Sequence, residues 1–222
     1  MNSDQSIARI VGVLLLIIFG LGVTVFQVLQ GPFLFVDDFL WQTSAHSFEV
    51  VLSTIFALLS GTLSLIISIL LFPIFKKYSE RLGYLYITFC LLYFVSMAID
   101  NISVLSMLEV SKAYANAEAT DLDTLEILGG LFYEIHSWTH HLSLFISCFP
   151  VFVLFLTLYI SKLIPRVLSL FGMFAALMMM TQMLATVFGS SISGNMMLPI
   201  ALIQLVFPIW LIIKGFSPRS GQ

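Results

Sequence analysis

The stretch from Val50 to Arg81, VVLSTIFALLSGTLSLIISILLFPIFKKYSER, decides the fold. Its first 26 residues, up to Phe75, carry no charge, and the next six include two lysines and an arginine. An apolar run of more than ~18 residues is typical of a membrane-spanning helix. A short basic turn after such a run is typical of a cytoplasmic loop. The stretch therefore predicts a helix that ends at the inner face of a membrane.

The composition of the whole chain favours the same surroundings. The protein has 222 residues, of which 59% are hydrophobic and 9% are charged. Soluble globular domains are about 45–50% apolar and about 25% charged. Because so few charged side chains cannot cover the apolar surface in water, we expect the lipid bilayer to be the main partner. No basic patch of the kind that binds nucleic acid is present, so nucleic acid is not an expected partner.

Breaks, charges and Gly/Pro positions divide the chain into six apolar runs. They predict an all-α protein, a polytopic transmembrane bundle of six helices that forms a single domain over residues 1–222. We expect Pro150 to interrupt the long fourth run. The spans are expected at about 10–29, 48–72, 82–108, 131–160, 164–188 and 196–214.

The basic residues predict the orientation of this bundle. Eight of the nine Lys and Arg residues fall on one side of a six-span arrangement, and only Lys112 falls on the other. The positive-inside rule places the side with eight in the cytoplasm. We therefore expect a multi-pass protein of the cell membrane, N-in and C-in, with both termini cytoplasmic. The eight are Arg9, Lys76, Lys77, Arg81, Lys162, Arg166, Lys214 and Arg219.

Titratable side chains are concentrated in YEIHSWTHH, Tyr133–His141, at the start of the fourth span. His140 lies 20 residues before Ile160, or roughly 30 Å above the cytoplasmic end of its helix. Asp100 lies 18 residues after Leu82, or roughly 27 Å above the start of the third span. Consecutive antiparallel spans are usually neighbours. The carboxylate and the imidazole are therefore expected at a similar depth, near the outer interface.

The same depth arithmetic predicts a polar layer across the outer mouth of the bundle. One interpretation is a cap of polar groups that hydrogen-bond between helices. A second is a site that binds a small ligand with a cationic or hydroxylated group, a lipid headgroup or a partner membrane protein, and this is the function that we expect. The predicted layer, together with Ser96 one turn below Asp100 on the same face, contains Gln27, Asp100, Asn101, His136, His140, His141 and Gln182.

The alternative function is a zinc-dependent intramembrane hydrolase. His136 and His140 are one helical turn apart and can share one Zn²⁺, with Asp100 as a third ligand and water in the open position. Membrane hydrolases of the alkaline-ceramidase and adiponectin-receptor type hold zinc with the same residue types, including a serine such as Ser96. Those proteins have seven spans and carry their histidine pair in the last span, so the resemblance is limited to the types of residue.

Three segments together resemble a bacterial six-helix membrane family catalogued as domain of unknown function 4386. They are ARIVGVLLLIIFGLG from Ala8, LLFPIFKKYSERLGYLYITF from Leu70 and LYISKLIPRVLSLFGMFAA from Leu158. The resemblance covers the chain from about Ile7 to Lys214. It implies a six-helix fold and a mainly bacterial setting, and it implies no activity for any residue.

Overall fold

The computed structural model describes residues 3–190 and 194–217, and within these ranges the chain is helical and contains no strand. A π-helix, Val25–Gln30, lies between α1 and α2, and a 3-10 helix, Gly194–Met197, precedes α8. Arg219, one of the eight predicted cytoplasmic cations, lies outside the described residues. The α-helices are α1 Ser3–Thr24, α2 Gly31–Leu34, α3 Phe39–Ala45, α4 Ser47–Lys76, α5 Glu80–Ala115, α6 Leu122–Ser161, α7 Arg166–Val187 and α8 Leu198–Lys214.

Among the described residues, six helical runs are long and apolar enough to cross a membrane. This finding confirms the prediction of an all-α protein with six membrane-capable helices. The runs are Asp4–Leu34, Ser47–Lys76, Glu80–Ala115, Leu122–Ser161, Arg166–Val187 and Gly194–Lys214.

The third and fourth runs are longer than the spans that apolar content predicted. Helix α5 continues to Ala115 and α6 begins at Leu122, so only a short turn joins them. Their 36 and 40 residues correspond to about 54 and 60 Å, against a hydrocarbon core of ~30 Å. Outside the apolar region the two helices still pack on each other, and Tyr114 Oη donates to Glu126 Oε1 at 2.9 Å. Pro150 lies inside α6 and does not divide it, contrary to the prediction.

The six long helices form a ring in chain order. Each packs against the next, in the order α1, α4, α5, α6, α7 and α8, and α8 packs against α1 to close the ring. The closing contact is tight, because a Cβ on Gly12 would lie 2.8 Å from the carbonyl oxygen of Pro208. The main core fills the interior of the ring with buried side chains such as Ile67, Phe75 and Leu158.

Residues 31–45, which we call the cap, cover the end of the bundle opposite the basic turns. The cap contains α2 and α3, and α3 lies against α5. Leu34 is fully buried in a second, smaller core with Val104 and Met107 of α5. Leu40 fills the space over Gly129 of α6, where an added Cβ would lie 2.6 Å from Leu40 Cδ2.

The π-helix sets the direction in which the chain enters the cap. The Gly31 N–H donates to the carbonyl of Phe26, five residues back, where an α-helix would use the residue four back. Pro32 follows and has no N–H with which to continue the ladder. The extra residue in this turn rotates the side chains that follow it around the helix axis.

Candidate functional site

Helices α5 and α6 bring three of the predicted site residues together. His136 Nδ1 lies 2.9 Å from Asp100 Oδ1, and His140 Nδ1 lies 3.2 Å from Asp100 Oδ2. The Asp100 and His136 side chains are 10% and 2% exposed, whereas that of His140 is 30% exposed. One carboxylate therefore holds two imidazoles, one enclosed by protein and one at the edge of the site.

Two hydroxyl groups that were not predicted complete what we call the Asp100 cluster. Thr139 Oγ1 lies 3.0 Å from Asp100 Oδ1, within donating distance. Ser103 donates to the Asp100 backbone carbonyl at 2.6 Å and lies 3.2 Å from the Thr139 hydroxyl. Thr139 lies three residues after His136, and Ser103 lies three residues after Asp100. Residues three apart are neighbours on a helix surface, so this spacing could have predicted both hydroxyl groups.

The hydrogen bonds assign the tautomers of the two imidazoles. An ionised carboxylate only accepts hydrogen bonds, so His136 and His140 each donate from Nδ1. In a neutral imidazole the other nitrogen, Nε2, is then an acceptor. His136 Nε2 is buried and has no hydrogen-bond partner among the described residues. A buried polar atom without a partner costs about 1–3 kcal/mol, so a donor placed beside Nε2 would be stabilising.

Aromatic side chains of the cap and of α6 form a group of contacting rings, one of which faces the enclosed imidazole. The rings of Phe35 and His136 are nearly parallel, at 20°, with centroids 6.1 Å apart. Phe35 meets Tyr133 edge-on at 6.5 Å, and Phe39 meets the same tyrosine at 5.2 Å. The cap therefore forms an aromatic roof over His136, a feature that no sequence pattern indicated.

Three further members of the predicted layer lie near the cluster but bond to other groups. The Ser96 hydroxyl donates to Tyr93 O at 2.8 Å and lies 3.4 Å from the Ser143 hydroxyl. Asn101 is buried, and its amide donates to Met97 O at 2.8 Å. His141 Nδ1 lies 2.6 Å from the carbonyl oxygen of Ser137.

The two predicted glutamines lie on elements other than α5 and α6. Gln182 is buried in α7, which packs on α6 and α8. Gln27 is exposed on the π-helix, and Gln30 is the buried glutamine of this segment, where it donates to Ser53 Oγ at 2.9 Å. The prediction for Gln27 assumed a regular α-helix, and the π-helical turn explains why Gln30 faces inward in its place.

The same geometry bears on the predicted metal ligands, Asp100, His136 and His140. Both imidazoles direct Nδ1 to the carboxylate of Asp100, so their Nε2 atoms point away from it. Over residues 3–190 and 194–217, no group of three or more His, Cys, Asp or Glu side chains is placed to hold a metal ion. We therefore derive no metal-dependent step from this arrangement.

An open cavity of about 350 Å³ lies at the same end of the molecule, between the cap and the ends of α5 and α6. Three carboxylates and three aromatic rings contribute to its wall. The lining residues are Asp37, Asp38, Phe39, Leu40, Trp41, Tyr114 and Glu126.

Comparison with known proteins identifies the family and adds no activity. Residues 10–215 match the family described as Domain of unknown function (DUF4386). No curated protein and no solved structure matches the chain. The match spans nearly all of the six-helix bundle, and the chain belongs to this family.

Proposed function

We propose that this member of the DUF4386 family binds a small ligand or a lipid headgroup at the Asp100 cluster, near the extracytoplasmic mouth of the bundle. The observation that carries the proposal is His136 Nε2, a buried nitrogen that has no hydrogen-bond partner among the described residues and that accepts in the neutral imidazole. An O–H or N–H group of a ligand supplies the missing hydrogen bond. His140, which is 30% exposed, marks the side from which the ligand reaches the carboxylate.

The buried charge supports a binding role over a purely structural one. Hydrogen bonds between polar side chains of neighbouring membrane helices usually stabilise the folded protein only slightly, by ~0.6 kcal/mol on average. A carboxylate in a spanning helix is expensive and commonly marks a functional position. Asp100 lies in α5, and among the described residues its side chain is bonded by His136, Thr139 and His140 and by no Lys or Arg.

We also propose the orientation of the bundle in the cell membrane, with both termini in the cytoplasm. The support is the distribution of charge at its two ends. The basic turn after α4 carries Lys76 and Lys77, whereas the turn between α5 and α6 is acidic. In this orientation the cap, the Asp100 cluster and the acidic turn all lie on the extracytoplasmic side.

Native mass spectrometry of the purified protein tests the binding proposal. We expect a non-covalent adduct on the wild-type protein and its loss from His136→Asn, because the asparagine does not place an acceptor at the position of Nε2. His46→Gln is the matched control, since His46 stacks on Phe33 at 3.9 Å and bonds within its own turn. Identical adducts on all three proteins would rule out the Asp100 cluster as the binding site.

A further inference from the structure

Charge and aromatic side chains around the Asp100 cluster indicate which kind of ligand it takes. We propose that the bound group is an ammonium, carried by a small amine or by an amine-bearing lipid headgroup. This inference rests on the proposed function, because it names the ligand class of the same site.

The first support is the charge of the cluster itself. With Nδ1 of each imidazole donating to Asp100, the cluster carries one negative charge when both histidines are neutral. The donors reduce the field of the carboxylate but do not cancel its charge. A ligand that brings one positive charge makes the site neutral, and its N–H group donates to His136 Nε2.

The second support is the aromatic roof. Phe35, Phe39 and Tyr133 form a group of contacting rings beside His136. A cation within about 6 Å of an aromatic face is attracted by about 0.5–2 kcal/mol, and most strongly where water is excluded. An alcohol of the same size gains no such attraction, so the roof favours the ammonium.

The third support is the charge of the whole extracytoplasmic end. Ten acidic residues belong to this end of the molecule, and Lys112 is its one Lys or Arg in the described chain. Lys112 is itself paired with Glu109 at 2.8 Å. Such a field attracts cations and repels anions, and an anionic ligand would find no unpaired lysine or arginine here. The acids are Asp37, Asp38, Glu49, Asp100, Glu109, Glu118, Asp121, Asp123, Glu126 and Glu134.

The test uses three probes that share one carbon chain and differ in the head group: butylammonium, 1-butanol and butyrate. Binding is measured by saturation-transfer difference NMR on the full-length protein in phosphatidylglycerol nanodiscs, with empty nanodiscs subtracted. We expect butylammonium to give the largest signal and to lose about tenfold in affinity in Asp100→Asn and in His136→Leu. His46→Gln should bind butylammonium as the wild-type protein does.

A second arm distinguishes the two sources of the ammonium. In nanodiscs that contain phosphatidylethanolamine, a lipid headgroup site is already occupied, so the butylammonium signal should fall. If the signal is the same in both lipids, the site takes free amines. Either result is consistent with an ammonium ligand, and only the source differs.

The remaining outcomes separate the two proposals. Equal binding of 1-butanol and butylammonium, lost together in His136→Leu, would overturn the ammonium inference and leave the binding site in place. Stronger binding of butyrate would also overturn the inference. If no probe gives a signal that depends on the Asp100 cluster, both proposals fail. If Asp100→Asn and His136→Leu do not fold, His140→Gln at the exposed edge of the cluster replaces them, with an expected loss of affinity in the same direction.

Discussion

Asp100 is a buried acid in a helix that is long and apolar enough to cross a membrane, and no Lys or Arg among the described residues pairs with it. Its two oxygens are within hydrogen-bonding distance of His136, Thr139 and His140. These donors stabilise the carboxylate through hydrogen bonds, and when both imidazoles are neutral the acid keeps a negative charge that a cationic ligand can neutralise. Removing the charge and removing a donor should therefore have different effects on stability and on binding.

Asp100→Asn tests the acceptor role of this residue. The amide keeps the size of the side chain but places an NH₂ group opposite one of the two imidazoles. That imidazole must change its tautomer or lose its hydrogen bond, at a cost of about 1–3 kcal/mol. We expect a lower thermal unfolding midpoint in detergent than for the wild-type protein.

Glu109→Gln provides the matched control for that substitution. Glu109 forms an ion pair with Lys112 on the surface, where their side chains are 71% and 44% exposed. Surface substitutions of this kind usually change stability by less than about 0.5 kcal/mol. Equal shifts of the midpoint for the two variants would show that the Asp100 hydrogen bonds contribute no more than a surface pair.

At the scale of elements, the cap covers the enclosed histidine. Phe35 covers the His136 ring, while Leu34 and Leu40 fix the cap to α5 and α6. The cap follows a π-helix, and π-helical turns occur frequently at functional sites. A ligand that reaches His136 Nε2 must displace part of this cover, so the cap is expected to open during binding.

A disulfide between cap and bundle tests this opening. Leu40 Cγ lies 3.1 Å from the position of a Cβ on Gly129, so cysteines at residues 40 and 129 would have Cβ atoms within about 4.6 Å, close to the range of disulfides. Diethyl pyrocarbonate modifies imidazole nitrogens, and peptide mass spectrometry reports the rate for each histidine. In the oxidised Leu40→Cys/Gly129→Cys variant we expect His136 to react about tenfold more slowly than in the reduced variant, because local opening is blocked.

His140 serves as the internal control in the same experiment. Its side chain is 30% exposed and should react at a similar rate in both redox states. The native cysteines, Cys90 and Cys148, are buried and do not interfere with the new disulfide. An unchanged His136 rate after oxidation would show that the reagent reaches His136 without movement of the cap.

The sequence was sufficient to predict the positions of those site residues that lie on regular α-helices. Helix rise and the alternation of spans were sufficient to predict Asp100 and His140 at one depth, and the structure joins them by a hydrogen bond. The position of Gln27 was not predictable, because a π-helical turn changes the phase after Thr24. The two helices of the cap were not predicted because α2 and α3 are only 4 and 7 residues long, too short to show a hydrophobic period.

At the scale of the whole molecule, charge divides the two ends of the ring of helices. At the basic end, Asp4 pairs with Lys77 and Glu80 pairs with Lys76, so the acids found there are neutralised locally. At the other end, most acids have no basic partner in the described chain. By the positive-inside rule, this asymmetry predicts that the basic end faces the cytoplasm.

Cysteine labelling in intact cells tests that orientation. We expect a membrane-impermeant maleimide to label Ala119→Cys, at an exposed position in the turn between α5 and α6, and not Ser79→Cys, in the basic turn after α4. Both variants should be labelled once the cells are lysed, which controls for the reactivity of each site. Labelling of Ser79→Cys alone in intact cells would reverse the orientation and place the Asp100 cluster at the cytoplasmic face.

The length of α5 and α6 has a practical consequence for structure determination. A chain of 24.8 kDa that lies mostly within a micelle offers little for image alignment in electron cryomicroscopy. Ala115 lies 15 residues beyond Asp100, so the two helices rise about 22 Å above the Asp100 cluster. A soluble helical domain inserted between Ala115 and Leu122 would continue both helices without a flexible joint. The natural hairpin thus provides an attachment point for a fiducial marker at the end of the molecule where a bound ligand needs to be seen.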